Sequence, residues 1–180
     1  MSDEISKSIE EFENRKIYTK LDERTLQKIN NDALEQAIMD YIDHKVGENY
    51  DRQYEIVTGL SKGFQAIYTT WWVEAEVNNG GFNQYFWNSS GEFAIEAIEG
   101  FKEIGAIRNA KLMEKAVTIA IKEMPEMKKF HKQGTLEAFS ESYKHTKLND
   151  LDDEFYKYEE NLSELRITYI RNNPQLFIGE

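Results

Sequence analysis

The chain of 180 residues has no cysteine, two prolines and three histidines. Without cysteine there is no disulfide, no thiolate metal site and no thiol nucleophile, which suits a reducing compartment. Only Pro125 and Pro174 would interrupt a helix outright. No apolar run approaches the roughly 18 residues that span a bilayer. The opening residues, from Met1 to Lys7, lack the apolar stretch of a secretion signal. A cytoplasmic protein without membrane contact is therefore expected. Strand-like alternation is missing, and so is any repeat near 34 residues, which sets aside sheets and solenoids.

Positive charge is scarce too. Against 33 acids stand 22 bases, a net charge of −11. Direct binding to nucleic acid is disfavoured, because phosphate contacts need a basic surface. The imbalance is uneven. Residues 1–60 hold 14 acids and 8 bases, residues 106–150 hold 6 acids and 9 bases, and residues 151–180 hold 7 acids and 3 bases. Two readings stay open: an ordinary solvated surface, or an acidic face for a basic partner.

What is present is apolar and aromatic matter, 40% and 13% of residues. A chain of this length buries roughly 70% of its unfolded surface and needs no covalent staple. The periodicity predicts an all-α fold, one compact bundle of about eight helices. A short acidic helix covers Ile5–Lys16, a second runs from Asp32 to Val46, and a third covers Asp51–Thr58. The fourth, about Lys62–Asn78, carries Phe64, Ile67, Tyr68, Trp71, Trp72 and Ala75 at three- and four-residue steps. Ser89 with Glu92 reads as a capping box opening a helix to Ile104. A further helix spans Arg108 to Glu123, stops near Pro125, and a weaker one follows Gly134-Thr135. Leu151, Phe155, Tyr158, Leu162, Leu165 and Tyr169 predict a single last helix that Pro174 ends.

Reactive constellations are hard to find. His44, His131 and His145 are scattered and form no H-E-x-x-H pattern, so no metal and no cofactor are expected. His44 suits a helix C-terminus. Ser89-Ser90-Gly91 is not a nucleophile elbow, and Gly80-Gly81 precedes no Gly-Lys-Ser or Gly-Lys-Thr. Glu74 and Glu76 would leave one helix about 200° apart and could not share a substrate. No catalytic residue is assigned, and the chain is expected not to be an enzyme.

One segment is not generic: Glu74 to Asn88, with Asn79, Gly80, Gly81, Phe82, Gln84, Tyr85, Phe86 and Asn88. Tandem glycine ends one helix and permits a sharp turn. A short second helix then presents Phe82, Tyr85 and Phe86 on one face. As a structural corner, the segment would spend its amides on backbone groups. As a ligand pocket, it would line a cavity with Glu74, Asn79, Gln84 and Asn88.

This segment resembles the small helical bacterial family named after a DNA-mimic protein. The likeness continues through Ile104-Gly105-Ala106, Leu151-Asp152, Phe155-Tyr156, Tyr169-Ile170 and Phe177, and covers roughly Tyr50 to Phe177. It divides the chain into residues 50–180, the family-like domain, and residues 1–49, a helical extension packed on the core. The resemblance implies an all-helical, dimeric domain without enzymatic activity. In the founding member it implies an acidic surface that occupies the DNA-binding face of a transcription factor.

Duplex DNA carries one charge per about 1.7 Å, and a domain of this length is about 40 Å across. A net −11 falls short of matching it unless the acids gather on one side. Asp152, Asp153, Glu160 and Glu164 near one end, with Glu4, Glu10 and Glu11 near the other, are the candidate partner-binding acids. Lys157 and Lys7 sit among them as i, i+4 partners. The expected function is a protein-binding decoy for the basic face of a transcription factor or nuclease. The alternatives are a small-ligand or enzymatic site around Asn78–Asn88, or a structural homodimer, with Trp71-Trp72 as a contact surface.

Overall fold

A computed structural model describes the backbone of residues 2–179 and the side chains of residues 5–179. The all-α expectation holds. Among the described residues there are ten α-helices, four short 3-10 turns and one isolated bridge between Leu21 and Gly179. The helices are α1 (Ser2–Glu13), α2 (Glu23–Lys28), α3 (Asn31–Val46), α4 (Gln53–Gly59) and α5 (Lys62–Trp87). They continue as α6 (Ala94–Glu103), α7 (Ile107–His131), α8 (Leu136–Ser142), α9 (Asn149–Phe155) and α10 (Leu162–Asn172).

The fold is built around α5. Every residue from Gly63 to Thr70 is buried, so this stretch has no solvent face and serves as the central helix. Its polar side chains satisfy themselves locally. Thr69 and Thr70 donate their hydroxyls to the carbonyls of Gln65 and Ala66 at 2.8 and 2.6 Å. Gln65 Nε2 reaches back to the free carbonyls of Thr58 and Leu60. Around it pack α3, α6 and α9, with α7 lying on α6. Residues from Leu21 to Phe177 share one apolar cluster, and α3 contributes Leu34, Ile38, Tyr41 and Ile42 to it. The apolar side chains Ile5, Ile9 and Phe12 of α1 are exposed.

Three sequence-based boundaries are corrected. The last helix is two helices: α9 ends at Phe155, Tyr158 adopts a left-handed φ of 47°, and α10 begins at Leu162. Asn161 starts α10 by accepting the Glu164 N–H at 3.1 Å. Glu160, just before it, is drawn to the start of α7, so tertiary capping overrides the heptad-like stripe. Pro125 does not end α7, which runs on to His131. Pro125 is exposed, so the carbonyl that loses its partner faces water. The Ser89–Glu92 capping box does not form. Residues Ser89–Phe93 make a 3-10 turn with no side-chain cap, and α6 begins only at Ala94.

The tandem glycine does break α5. Gly80 and Gly81 have non-helical backbones, and Gly81 sits at φ 71°, ψ −179°, a region essentially reserved for glycine. The carbonyls and N–H freed at the break are met by side chains from distant sequence. Tyr156 Oη donates to the Val77 carbonyl at 2.7 Å and Tyr143 Oη to the Gly80 carbonyl at 2.6 Å. Asp152 accepts the Phe82 N–H at 2.9 Å, capping the second limb. A Cβ on Gly81 would collide with the Asp152 carboxylate. Gly81→Ala should therefore lower the unfolding free energy by about 3 kcal/mol, from backbone strain and the displaced cap; urea denaturation measures it.

Candidate functional site

The break folds the second limb of α5 back so that its amides face the first. Glu76, on the first limb, is only 8% exposed. Its Oε2 accepts from Gln84 Nε2 at 2.6 Å and Asn88 Nδ2 at 2.9 Å. Its Oε1 receives one long contact of 3.5 Å from the Ser90 hydroxyl. The amides thus serve a buried carboxylate rather than backbone groups. Asn83, also buried, donates to Ser142 Oγ, and Asn79 lies exposed. Tyr85 is fully buried, and burial, together with the nearby charges of Glu96 and Glu76, pushes its hydroxyl pKa well up.

Glu74 points elsewhere, as its angular offset from Glu76 requires. Together with Glu35 it holds the buried guanidinium of Arg166, at 2.5 and 2.8 Å. Of the residues that the alternative pocket reading would gather, Asn88 lines a cleft on the Glu76 side, whose lining does not include Glu74 or Asn79. This open cleft of about 370 Å³ has Tyr50, Tyr68, Trp72 and Phe93 as aromatic walls. Glu76, Gln53, Asn88, Ser89 and Ser90 supply its polar lining. Tyr68, Trp72 and Glu76 recur at four-residue steps, a helical row legible in the sequence. Tyr50 and Gln53 come from a separate turn and helix and carried no such signal. Trp71 and Trp72 are half-buried and meet edge-to-face at 5.2 Å.

The acids named from sequence divide between inner and outer tasks. Asp152 caps the second limb of α5, and Glu160 accepts the N–H groups of Arg108 and Asn109 at the start of α7, at 2.9 and 3.0 Å. Glu10, Glu11, Asp153 and Glu164 are exposed, Glu11 paired with Lys7 at 3.7 Å. The side chain of Glu4 lies outside the described residues.

A different row of acids was overlooked in the sequence. Glu92, Glu96, Glu99 and Glu103 follow steps of four, three and four along the turn before α6 and α6 itself, the spacing of one helix face. Glu96, Glu99 and Glu103 line a common surface recess together with Lys62. Tyrosine hydroxyls fix two of them: Tyr54 donates to Glu96 at 2.6 Å and Tyr169 to Glu103 at 3.2 Å. The bond to Glu96 raises the Tyr54 pKa, and burial next to Glu103 pushes Tyr169 up to about 12. Lys102 is tied to Glu99 and Glu114 at 3.2 and 3.1 Å. Among the described residues no three acids or histidines converge on one point, so the row is a line of separate charges. None of the described helices is long and apolar enough to cross a membrane.

A helical bundle with a glycine-broken central helix and a lined-up row of surface carboxylates is the structural class. Residues 58–173 match the family model of the DMP19-like proteins, a DNA-mimic-like family, and the chain belongs to that family. No curated protein and no solved structure matches it.

Two measurements test the internal roles. Arg166→Ala would leave Glu74 and Glu35 facing each other without their cation, and should cost about 3 kcal/mol or more of stability in denaturant titration. Burial raises the Asp152 carboxyl pKa above its ordinary value, against the opposing pull of the Phe82 N–H. The folded state then holds that proton more tightly than the unfolded chain, so this group's contribution to stability falls as pH rises through the raised pKa. Asp152→Asn keeps an acceptor and removes the titration. The stability of wild type relative to D152N should decline from acid pH upward and level off once Asp152 is ionised.

Proposed function

We propose that the protein is a non-enzymatic acidic decoy whose α6 face occupies the basic nucleic-acid-binding surface of a protein partner, a transcription factor or a nuclease. The observation that carries this reading is the row Glu92, Glu96, Glu99 and Glu103. From Glu96 to Glu103, seven steps of α6 span about 10.5 Å, so these three carboxylates stand about 5 Å apart along the axis, with Glu92 on the preceding 3-10 turn. A single DNA strand places a phosphate every 3.4 Å of axis, which makes the carboxylates of the row about two-thirds as dense as a strand's phosphates before the charge of Lys102 is subtracted. Membership of a DNA-mimic-like family supports a partner of this kind.

The row suits the task because its charges are held in place. The hydroxyls of Tyr54 and Tyr169 donate to carboxylates without neutralising them, and Lys102 spreads its charge over two acids. Asp153, Glu164, Glu10 and Glu11 are further exposed acids. A homodimer belongs to the same reading, since two copies would double the acidic surface.

The test is retention of partners from the native cell on immobilised protein, eluted with rising salt. Wild type should hold a basic nucleic-acid-binding protein at low ionic strength and release it steeply with salt, and duplex DNA should compete. The variant carrying E92Q, E96Q, E99Q and E103Q should bind that partner at least about tenfold more weakly, a loss of 1.4 kcal/mol. Retention that ignores salt, or equal binding by the variant, would count against the decoy.

A further inference from the structure

We propose that the cleft between Glu76 and the aromatic walls binds an organic cation, an alkylguanidinium or alkylammonium head group. Charge sign is the first reason. The cleft's lining includes one carboxylate and no lysine, arginine or histidine. Glu76 is almost fully buried, and among the described residues no cation pairs with it. A buried carboxylate without a counter-charge is costly, and a cation bound in the cleft would offset that cost.

Hydrogen-bonding direction is the second. One N–H of each amide nitrogen at the cleft is engaged: Asn88 Nδ2 with Glu76, and Gln53 Nε2 with the Tyr68 hydroxyl at 2.5 Å. The charged acceptor in the lining is Glu76, and its Oε1 has one contact, a long one. An under-used carboxylate oxygen calls for a donor, and guanidinium and ammonium groups are donors that also carry the opposite charge. The walls supply the third reason. Tyr50 is 73% exposed and Trp72 half-buried, and aromatic faces attract weakly hydrated cations. A volume of about 370 Å³ holds such a head group with part of its alkyl chain.

The inference does not rest on the acid row of α6, and the experiment separates the two. Calorimetric titration of the full chain uses n-butylguanidinium, n-butylammonium and the neutral isostere n-butylurea. Both cations should bind, with n-butylurea at least about tenfold weaker. Glu76→Gln should weaken the cations by about tenfold or more. Tyr50→Ala, at an exposed position where folding is not at stake, should weaken them several-fold. The E92Q, E96Q, E99Q and E103Q variant should bind them as wild type does. A short peptide with one central arginine identifies the source. Tighter binding than n-butylguanidinium means a protein side chain, and equal or weaker binding means a free small molecule; either result upholds the cation site. Equal binding of n-butylurea, no heat from either cation at about 10 mM, a level that still detects millimolar affinity, or unchanged affinity in both E76Q and Y50A would overturn it.

Discussion

The interaction on which the rest depends is the capped break at Gly80 and Gly81. A helix that stops inside a protein leaves carbonyls and N–H groups without partners, each costly if buried. Here two tyrosine hydroxyls take the carbonyls and one aspartate takes the N–H. Those three side chains come from the segment between α8 and the end of α9, so the break in the central helix ties the C-terminal half of the chain to it. Glycine is required at position 81 twice over, for its backbone angles and for the space that the Asp152 carboxylate fills. The break also makes the cleft. Only because the chain turns back can Gln84 and Asn88 reach Glu76 across it.

Much of this architecture was legible in the sequence. The four-residue steps of Phe64, Tyr68 and Trp72 announced the central helix, and the tandem glycine announced its break. The boundaries that went unread have separate causes. Between Phe155 and Leu162 the apolar stripe runs without interruption, yet the chain leaves the helix there because Glu160 caps α7. At Pro125 a local rule for helix termination failed because the proline is exposed and water can take the carbonyl it frees. The first outcome has no local signature, since the partners of Glu160 lie about fifty residues away in sequence. The candidate site was half legible: Glu76, Gln84 and Asn88 fall within the segment singled out, whereas Tyr50 and Gln53 arrive through the fold.

Charge shows the same division. A carboxylate in a sequence looks alike whether it caps a helix, pairs inside or faces water. Asp22 caps α2, Glu123 holds the turn before α9, Asp40 pairs with Arg15, and Glu35 and Glu74 share Arg166. With Asp152, Glu160 and Glu76, these acids serve the interior or the joints between helices. The net charge of −11 thus overstates what the surface presents to a partner, and an argument from net charge alone misjudges mimicry. What matters is local order, and the α6 row has it because helix periodicity sets the spacing and tyrosines fix the side chains.

The family match adds a constraint on how the two proposed surfaces relate. It covers residues 58–173, which takes in Glu76, Gln84, Asn88 and the whole α6 row. Tyr50 and Gln53 lie before that segment. The floor of the cleft therefore belongs to the part of the chain that defines the family, and part of its lip does not. The floor also has a structural duty, since Gln84 and Asn88 join the two limbs of α5 through Glu76, so it would be retained even where nothing binds. At the lip, Tyr50 stands largely in solvent. A ring that exposed, beside a buried carboxylate, is the arrangement that the proposed cation site requires.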